Sequence, residues 1–248
     1  MKKIIYTFLF FIFSPIFIYS QVNKITYQYI TPYSIKPTYL FYSNEESLFT
    51  ELGFDKEKDK KYQVDDSDFS EMKVSIDNSD SIGDYQYITK GQIQERRLAG
   101  KTYYMVVEDF TPLNWQLIDS TQKIGNYTCQ FASTTCYGRT FYAWYTSEIP
   151  SDKAPWKLGG LPGLVLHAYD SEKKYEWKAT NIEFSGEFDF SRYPSEKEQK
   201  ITLKEYMDIE DENYKKMVQK AEAIAAQFGA TAEFKEKGFS FIEKEPKR

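Results

Sequence analysis

Between residues 85 and 182 the chain is written in short runs that alternate apolar and polar residues and stop at turn formers. The runs are 85–89, 92–98, 101–108, 115–119, 126–133, 140–147, 164–170 and 175–182, and Gly91, Ala99-Gly100, Pro112, Gly125, Gly138, the stretch 150–162 and Ser171-Glu172-Lys173 separate them. A period of two over four to eight residues is the signature of a half-buried strand, and strands spaced this way with turn residues between them predict an antiparallel sheet. The aromatic content agrees, because 21 Tyr and 19 Phe suit pleated surfaces, where rings pack across strands and a Tyr hydroxyl still reaches water.

Alternation also assigns faces. Phe141, Ala143 and Tyr145 share one side of their run, with Tyr142 and Trp144 on the other; Leu164, Leu166 and Ala168 oppose Val165, His167 and Tyr169. Large apolar groups on both sides require cover on both, or a sheet that curls around a cavity. Cover is predicted at the C-terminal end, where Leu203, Tyr206, Met207, Tyr214, Met217, Val218, Ala221, Ile224, Ala225 and Phe228 recur at helical spacing, with Thr202 and Glu205 at the start and Gly229 at the end. A second, shorter helix is predicted over 44–52, from Ser43 with Glu46 three residues on and Gly53 beyond. A strand is expected over 22–30 and a last one near Phe239, Phe241 and Ile242. The expected fold is α+β, mainly β: a curved antiparallel sheet or half-barrel with N-terminal and C-terminal helices.

Residues 1–20 read as a secretory signal, with Lys2 and Lys3 ahead of an apolar stretch and small Ser20 at its end; the segment is too short and wrongly flanked for a membrane span. Residues 21–248 then form a single β-rich domain, with no transmembrane anchor after cleavage. The formal net charge is −5 and basic residues are interspersed with acidic ones, so nucleic acid is not an expected partner. Residues 55–81 lose the pattern and read as a solvated acidic insert; Asp65, Asp66, Asp68 and Glu71 lack the spacing and Gly of a calcium loop.

The stretch 159–166, Gly-Gly-Leu-Pro-Gly-Leu-Val-Leu, fits a type II turn with Pro162 at its second position and Gly163, at positive φ, at its third. Chemistry is harder to find. There is one histidine, His167, and with Cys129 and Cys136 it makes only three candidate zinc ligands without recognisable spacing. The two cysteines face each other if the chain turns near Ser133, and lie too far apart on one strand for a disulfide if it turns at Tyr137-Gly138-Arg139. Asp109 and Glu148 stand at strand ends, where loop carboxylates are mostly solvent-facing. No phosphate loop and no nucleophile elbow are present, and no catalytic, cofactor-binding or metal-binding residue is assigned.

In order, Trp115-Gln116-Leu117, Ile124-Gly125-Asn126-Tyr127-Thr128-Cys129, Gly138-Arg139, Ala143-Trp144-Tyr145-Thr146, Glu148-Ile149-Pro150 and Gly160-Leu161-Pro162-Gly163-Leu164-Val165 resemble the landmarks of the GLPGLI family of exported bacterial proteins. The resemblance covers residues 85–182. Val165 stands where the family name has Ile, and Ala154-Pro155 where Gly-Pro is expected. It implies an exported protein of a Gram-negative envelope, periplasmic or associated with the outer membrane, and carries no established activity. The strand pattern is also similar to LolA-like folds, which hold apolar ligands. On this reading the protein is a non-enzymatic binder of an apolar ligand or peptide segment, with Tyr142, Trp144, Val165, His167 and Tyr169 facing the ligand. The alternatives are an accessory to an outer-membrane transport or secretion complex, with an envelope protein as partner, and a hydrolase.

Overall fold

A computed structural model describes residues 22–51, 61–65, 73–77, 83–231 and 242–244. The expected leader over 1–20, much of the acidic insert, and Phe239 and Phe241 lie outside these residues. The strands are β1 (Val22–Ile30), β2 (Ile35–Tyr42), β3 (Ser47–Thr50), β4 (Lys61–Asp65), β5 (Lys73–Asp77), β6 (Tyr85–Ile88), β7 (Gln92–Ala99), β8 (Thr102–Asp109), β9 (Gln116–Ile124), β10 (Tyr127–Cys136), β11 (Arg139–Thr146), β12 (Leu164–Asp170), β13 (Glu176–Gly186) and β14 (Gln199–Ile201), followed by helix α1 (Leu203–Gln227). Twelve of them form one sheet in the order β14-β8-β7-β6-β3-β2-β1-β13-β12-β11-β10-β9, and β4 pairs with β5 separately, inside the stretch expected to be irregular. The fold is mainly β, as expected, and the sheet is open, with β14 and β9 as its edges. Every pairing in it is antiparallel except that of β14 with β8.

The helix expected over 44–52 is not formed. Ser43 Oγ does accept from the backbone N–H groups of Glu45 and Glu46, as a capping side chain would, but here it closes a turn in which Ser43 N–H donates to Glu46 O. The next residues, Ser47-Leu48-Phe49-Thr50, then pair back onto β2 as β3, where Leu48 is fully buried. A hydroxyl that bonds two and three residues ahead serves a turn as readily as a helix start, and the tertiary partner decides between them. The second hairpin alternative for the cysteines holds. Tyr137 and Gly138, with φ of 51° and 73°, make the two-residue turn between β10 and β11. Cys129 and Cys136 therefore lie along β10 and are not joined by a disulfide.

Register fixes which side chains share a face. Ile25 is opposite Leu40, Leu40 opposite Phe49, Phe49 opposite Gln86, Gln86 opposite Glu95, and Glu95 opposite Val106. In the other direction Tyr29 is opposite Trp177, Trp177 opposite Ala168, and Ala168 opposite Ala143. These belong to one inner face, and the sheet curls about it. The connection between β11 and β12 crosses this interior: Trp156 packs on Trp177 and Phe141, while the next residue, Lys157, reaches Glu95 on β7 and Glu108 on β8.

The outer face has two halves. Over β2, β3, β6, β7 and β8 it carries Phe41, Leu48, Tyr85, Tyr87 and Met105, and the segment 187–195 lies across them with Phe188, Phe190 and Tyr193. Over β10–β12 it carries Phe131, Tyr142, Trp144, His167 and Tyr169, all half-buried. Helix α1 begins with the expected capping box, Thr202 with Glu205. Only Leu203 and Tyr206 in its first turn are buried, so the expected cover is confined to the first turns, and Met217, Ile224 and Phe228 remain exposed. No described helix is long and apolar enough to cross a membrane.

Candidate functional site

Two arrangements of side chains stand out, one on each face. The inner one is a charge centre around Lys157, which is 4% exposed. Its Nζ lies 2.7 Å from Glu95 Oε2 and 3.1 Å from Glu243 Oε1, and it also donates to Glu108. Arg97 Nη1 donates to the same Glu243 oxygen at 3.2 Å. Among the described residues two cations thus meet three carboxylates. Burial pushes the Glu108 carboxyl above its ordinary range against the pull of Lys157, with Glu95 and Glu243 adding to the rise. Burial acts in the same sense on Glu243, but Arg97 and Lys157 outweigh it and hold that carboxyl down at about 2. The same carboxylates keep Lys157 protonated despite its burial. Buried charges of this kind persist only when paired.

Beside this centre is an open cavity of about 190 Å³, walled by Tyr29, Phe49, Gln86, Trp156, Trp177 and Glu243 among others. Tyr29, Trp177 and Trp156 form a nearly parallel stack, with Tyr29 and Trp177 centroids 5.0 Å apart and Trp177 and Trp156 6.1 Å apart. Gln86 Nε2 donates to Glu95 Oε1 at 2.8 Å, which fixes the amide.

The outer arrangement is a ladder of rings. Phe131 stacks on Trp144 at 4.3 Å and on Tyr142 at 5.7 Å, Tyr142 meets Tyr169 at 5.6 Å, and Tyr169 meets His167 at 5.1 Å. His167 Nε2–H donates to Glu176 Oε1 at 2.7 Å. Burial lowers the His167 pKa below 6.5 although the Glu176 carboxylate pulls the other way, so the ring is neutral at pH 7. Tyr142, Trp144, His167 and Tyr169 are therefore brought together as the sequence suggested. Val165 is not with them: it is 1% exposed, because a bulge between Trp144 and Tyr145 interrupts the register and the segment is packed inside. Its carbonyl accepts from the buried Tyr27 hydroxyl at 2.7 Å.

The remaining landmark residues are architectural. Trp115 Nε1 donates to Gly159 O, Gly125 and Gly138 turn at positive φ, and Tyr127 flanks the first of these turns. Arg139 pairs with Asp170 at 2.9 Å, both buried, and Tyr145 donates to Gln130. Pro150 and Pro162 are exposed, Leu161 and Leu164 are buried. Gly163 does not take the positive φ of a type II turn; that belongs to Gly160, at 98°. Gly163 is required for another reason, since a Cβ there would lie 2.2 Å from the Thr146 carbonyl oxygen. His167, Cys129 and Cys136 do not converge on a common point. Glu148 accepts from Thr128 N–H, and Asp109 ends β8 in solvent.

Sequence reasoning missed Glu95, Arg97, Glu108, Lys157 and Glu243. A signal existed for two of them: Glu95 and Arg97 alternate with Ile93 and Ala99 on the inward side of β7, so charge occupies apolar positions of the pattern. Nothing local marks Lys157 or Glu243 as buried.

No curated protein matches the chain. Among solved structures, two crystal forms of PNGF-II, in space groups C2 and P21, align with TM-scores of 0.53 and 0.55, each at 17% identity over 79% of this chain. The chain spans only 34% of the length of PNGF-II, and the likeness is one of fold. The resemblance to the GLPGLI family is overturned by the family comparison: the profile that matches, over residues 71–208, is that of the N-glycanase peptide N-terminal domain, PNGase F-II type. That match takes in more than half of the chain and ten of the fourteen strands just described, and the protein belongs to this family of N-glycanase N-terminal domains.

Proposed function

We propose that the protein is a non-catalytic binding domain of a glycanase-related bacterial protein, and that it takes an extended polypeptide segment along the outer face of β9–β12. The observation that carries this reading is the half-buried ladder of Phe131, Tyr142, Trp144 and Tyr169 on a part of the sheet that no described segment covers. Such rings are common anchors of recognition surfaces. The ladder adjoins β9, the outermost strand, whose residues 116–123 are all exposed and whose Ile118 stands opposite Phe131. An extended chain can add to this edge by main-chain hydrogen bonds, with its alternate side chains packing on Ile118 and toward Phe131 at the near end of the ladder. The inner carboxylates support a non-catalytic role, because Lys157 and Arg97 already hold them. The family name ties such domains to N-glycanases, so the fitting occupant is the polypeptide that carries an N-glycan.

The test is binding of a synthetic peptide with Asn-linked N-acetylglucosamine, and of its unglycosylated twin, followed by Trp fluorescence. The paired substitution Phe131→Ser and Trp144→Ser is expected to weaken peptide binding by more than about tenfold, the loss of two anchor rings, while the chain still unfolds in one cooperative transition. Binding that survives this substitution, or no binding of either peptide, sinks the reading.

A further inference from the structure

The inner face holds a short piece of chain in the way a site holds a ligand. Residues 242–244, Ile-Glu-Lys, belong to no helix or strand, yet each of them is bound. Arg139 Nε donates to the Ile242 carbonyl at 2.8 Å, and the Lys244 N–H donates to the Tyr137 carbonyl at 2.9 Å. Between these two main-chain bonds the Glu243 carboxylate, 1% exposed, accepts on one oxygen from Lys157 Nζ at 3.1 Å and from Arg97 Nη1 at 3.2 Å. Lys244 Nζ then meets the partly exposed Glu172 carboxylate at 2.8 Å.

Holder and held come from different parts of the chain. Arg97, Tyr137, Arg139, Lys157 and Glu172 all lie within the family match, which ends at residue 208, whereas 242–244 lie beyond it. The domain presents the site, and the segment fills it. What the segment supplies is not redundant. An ammonium has three donors; Glu95 and Glu108 occupy two of those on Lys157, and Glu243 takes the third. Arg97 stands 3.8 Å from Glu95, beyond hydrogen-bond distance, so Glu243 is the carboxylate to which it donates. Without an acid here, a largely buried guanidinium loses its bonded counter-charge. Ile242 is only half-buried and borders the open cavity of about 190 Å³, which places the segment at the wall of that cavity and not beneath the sheet. The other charges along the wall are committed elsewhere or stand at the rim: Arg96 pairs with Glu198, Glu51 with Lys36, and Asp84 is exposed.

We infer that the inner face carries a binding site for an extended peptide segment in which a glutamate precedes a basic residue, and that residues 242–244 are its ligand in cis, exchangeable for such a segment from another chain. Lys157 and Arg97 read the glutamate, Arg139 holds the carbonyl before it, and the Tyr137 carbonyl and Glu172 hold the basic residue after it. Main-chain bonds flanking a side-chain pocket are the usual means by which extended peptides are recognised.

The experiment measures binding of a fluorescent peptide of residues 241–246, Phe-Ile-Glu-Lys-Glu-Pro, to the full chain by anisotropy. In the natural chain the tethered segment competes at an effective concentration on the order of mM, so Glu243→Gln, which weakens the competitor and leaves the site, is expected to tighten peptide binding at least about tenfold. A peptide with Gln in place of its first Glu is expected to bind that variant more than about thirtyfold more weakly, as when one member of a buried charge pair is removed. Lys244→Glu sets like charge against Glu172 without touching the buried pair, and is expected to tighten binding in the same direction; it serves alone if Glu243→Gln does not fold. The double substitution of Phe131 and Trp144 by Ser on the outer face is expected to leave this binding unchanged, which separates it from the peptide site proposed there. Four results overturn the inference: the peptide binds neither variant, it binds natural and variant chains alike, the Gln peptide binds as well as the Glu peptide, or the outer-face substitution abolishes binding.

Discussion

The two halves of the outer face are built from the same kinds of residue and put to different uses. Over β6 the rings of Tyr85 and Tyr87 are 4% and 7% exposed, because Phe188, Phe190 and Tyr193 of the segment 187–195 close over them, and the Ser195 N–H donates to the Tyr85 hydroxyl at 2.7 Å. Over β10–β12 the rings of Phe131, Tyr142, Trp144 and Tyr169 stack on one another and stop at the surface. Aromatic content alone does not tell these cases apart; a covering segment does. Where the chain supplies its own cover, rings are core and contribute the free energy of removing apolar area from water. Where it does not, they hold each other in place and keep area available to a ligand.

The comparison presupposes that both halves hang on one interior, and the strongest test addresses that interior. Lys157→Met removes the cation shared by Glu95, Glu108 and Glu243. Breaking a buried pair leaves uncompensated charge, and the expected loss is about 3–5 kcal/mol in chemical denaturation, with both halves unfolding in one transition. If Trp144 and Phe190 regions unfold at different denaturant concentrations instead, the halves are separate units and the comparison lapses. Glu108→Gln is expected to be milder, since Glu95 and Glu243 still hold Lys157.

The next test sets the halves against each other. Phe190→Ala opens the covered half and is expected to cost about 3 kcal/mol, as large-to-small changes of buried Phe do. Trp144→Ala on the uncovered half removes a larger side chain that was already partly in water, and is expected to cost no more than about 1 kcal/mol. Equal losses would mean that the outer ladder is core after all, and would remove the ground for assigning it a ligand.

How far this was legible in the sequence differs between strand and site. Period two placed the strands from β6 to β13 to within a few residues at most ends, and it put Tyr142 and Trp144 on one face, because side-chain alternation is a local property of the backbone. Ser43 and Glu46 misled, since their side-chain bonds to backbone are common to turns and helix starts, and only the pairing of β3 with β2 settles which forms. The glycines of 159–166 were recognised as necessary for a partly wrong reason: Gly163 is needed because Thr146, seventeen residues earlier, passes against it, a contact with no local signature. The charge centre was illegible for the same cause. Glu95, Glu108, Lys157 and Glu243 come from four separate segments, and each taken singly reads as a solvent-facing charge.

The smallest effect concerns the rim of the uncovered half, where His167 joins the ring ladder to the charged pair Glu176 and Lys178. Burial depresses the His167 pKa below its ordinary 6.5, so the folded state favours the neutral ring. Well above pH 6.5 both folded and unfolded chains are neutral there, and the contribution to stability is complete. As the pH falls below that value the unfolded chain takes up its proton first, and stability declines until the folded ring also titrates. Glu176 responds further down: burial would raise its carboxyl, but hydrogen bonds from His167 and Lys178 outweigh this and lower it from 4.5, so its contribution holds above that pH and fades as acid reaches the folded value. Because these side chains are partly exposed, the His167 part is expected to stay below about 1 kcal/mol. It is measured as the difference in urea midpoint between the natural chain and His167→Gln from about pH 8 to about pH 5, which should shrink on acidification. A difference that grows instead would show that the Glu176 carboxylate, not burial, governs His167, and that this half of the sheet is wetter than its rings suggest.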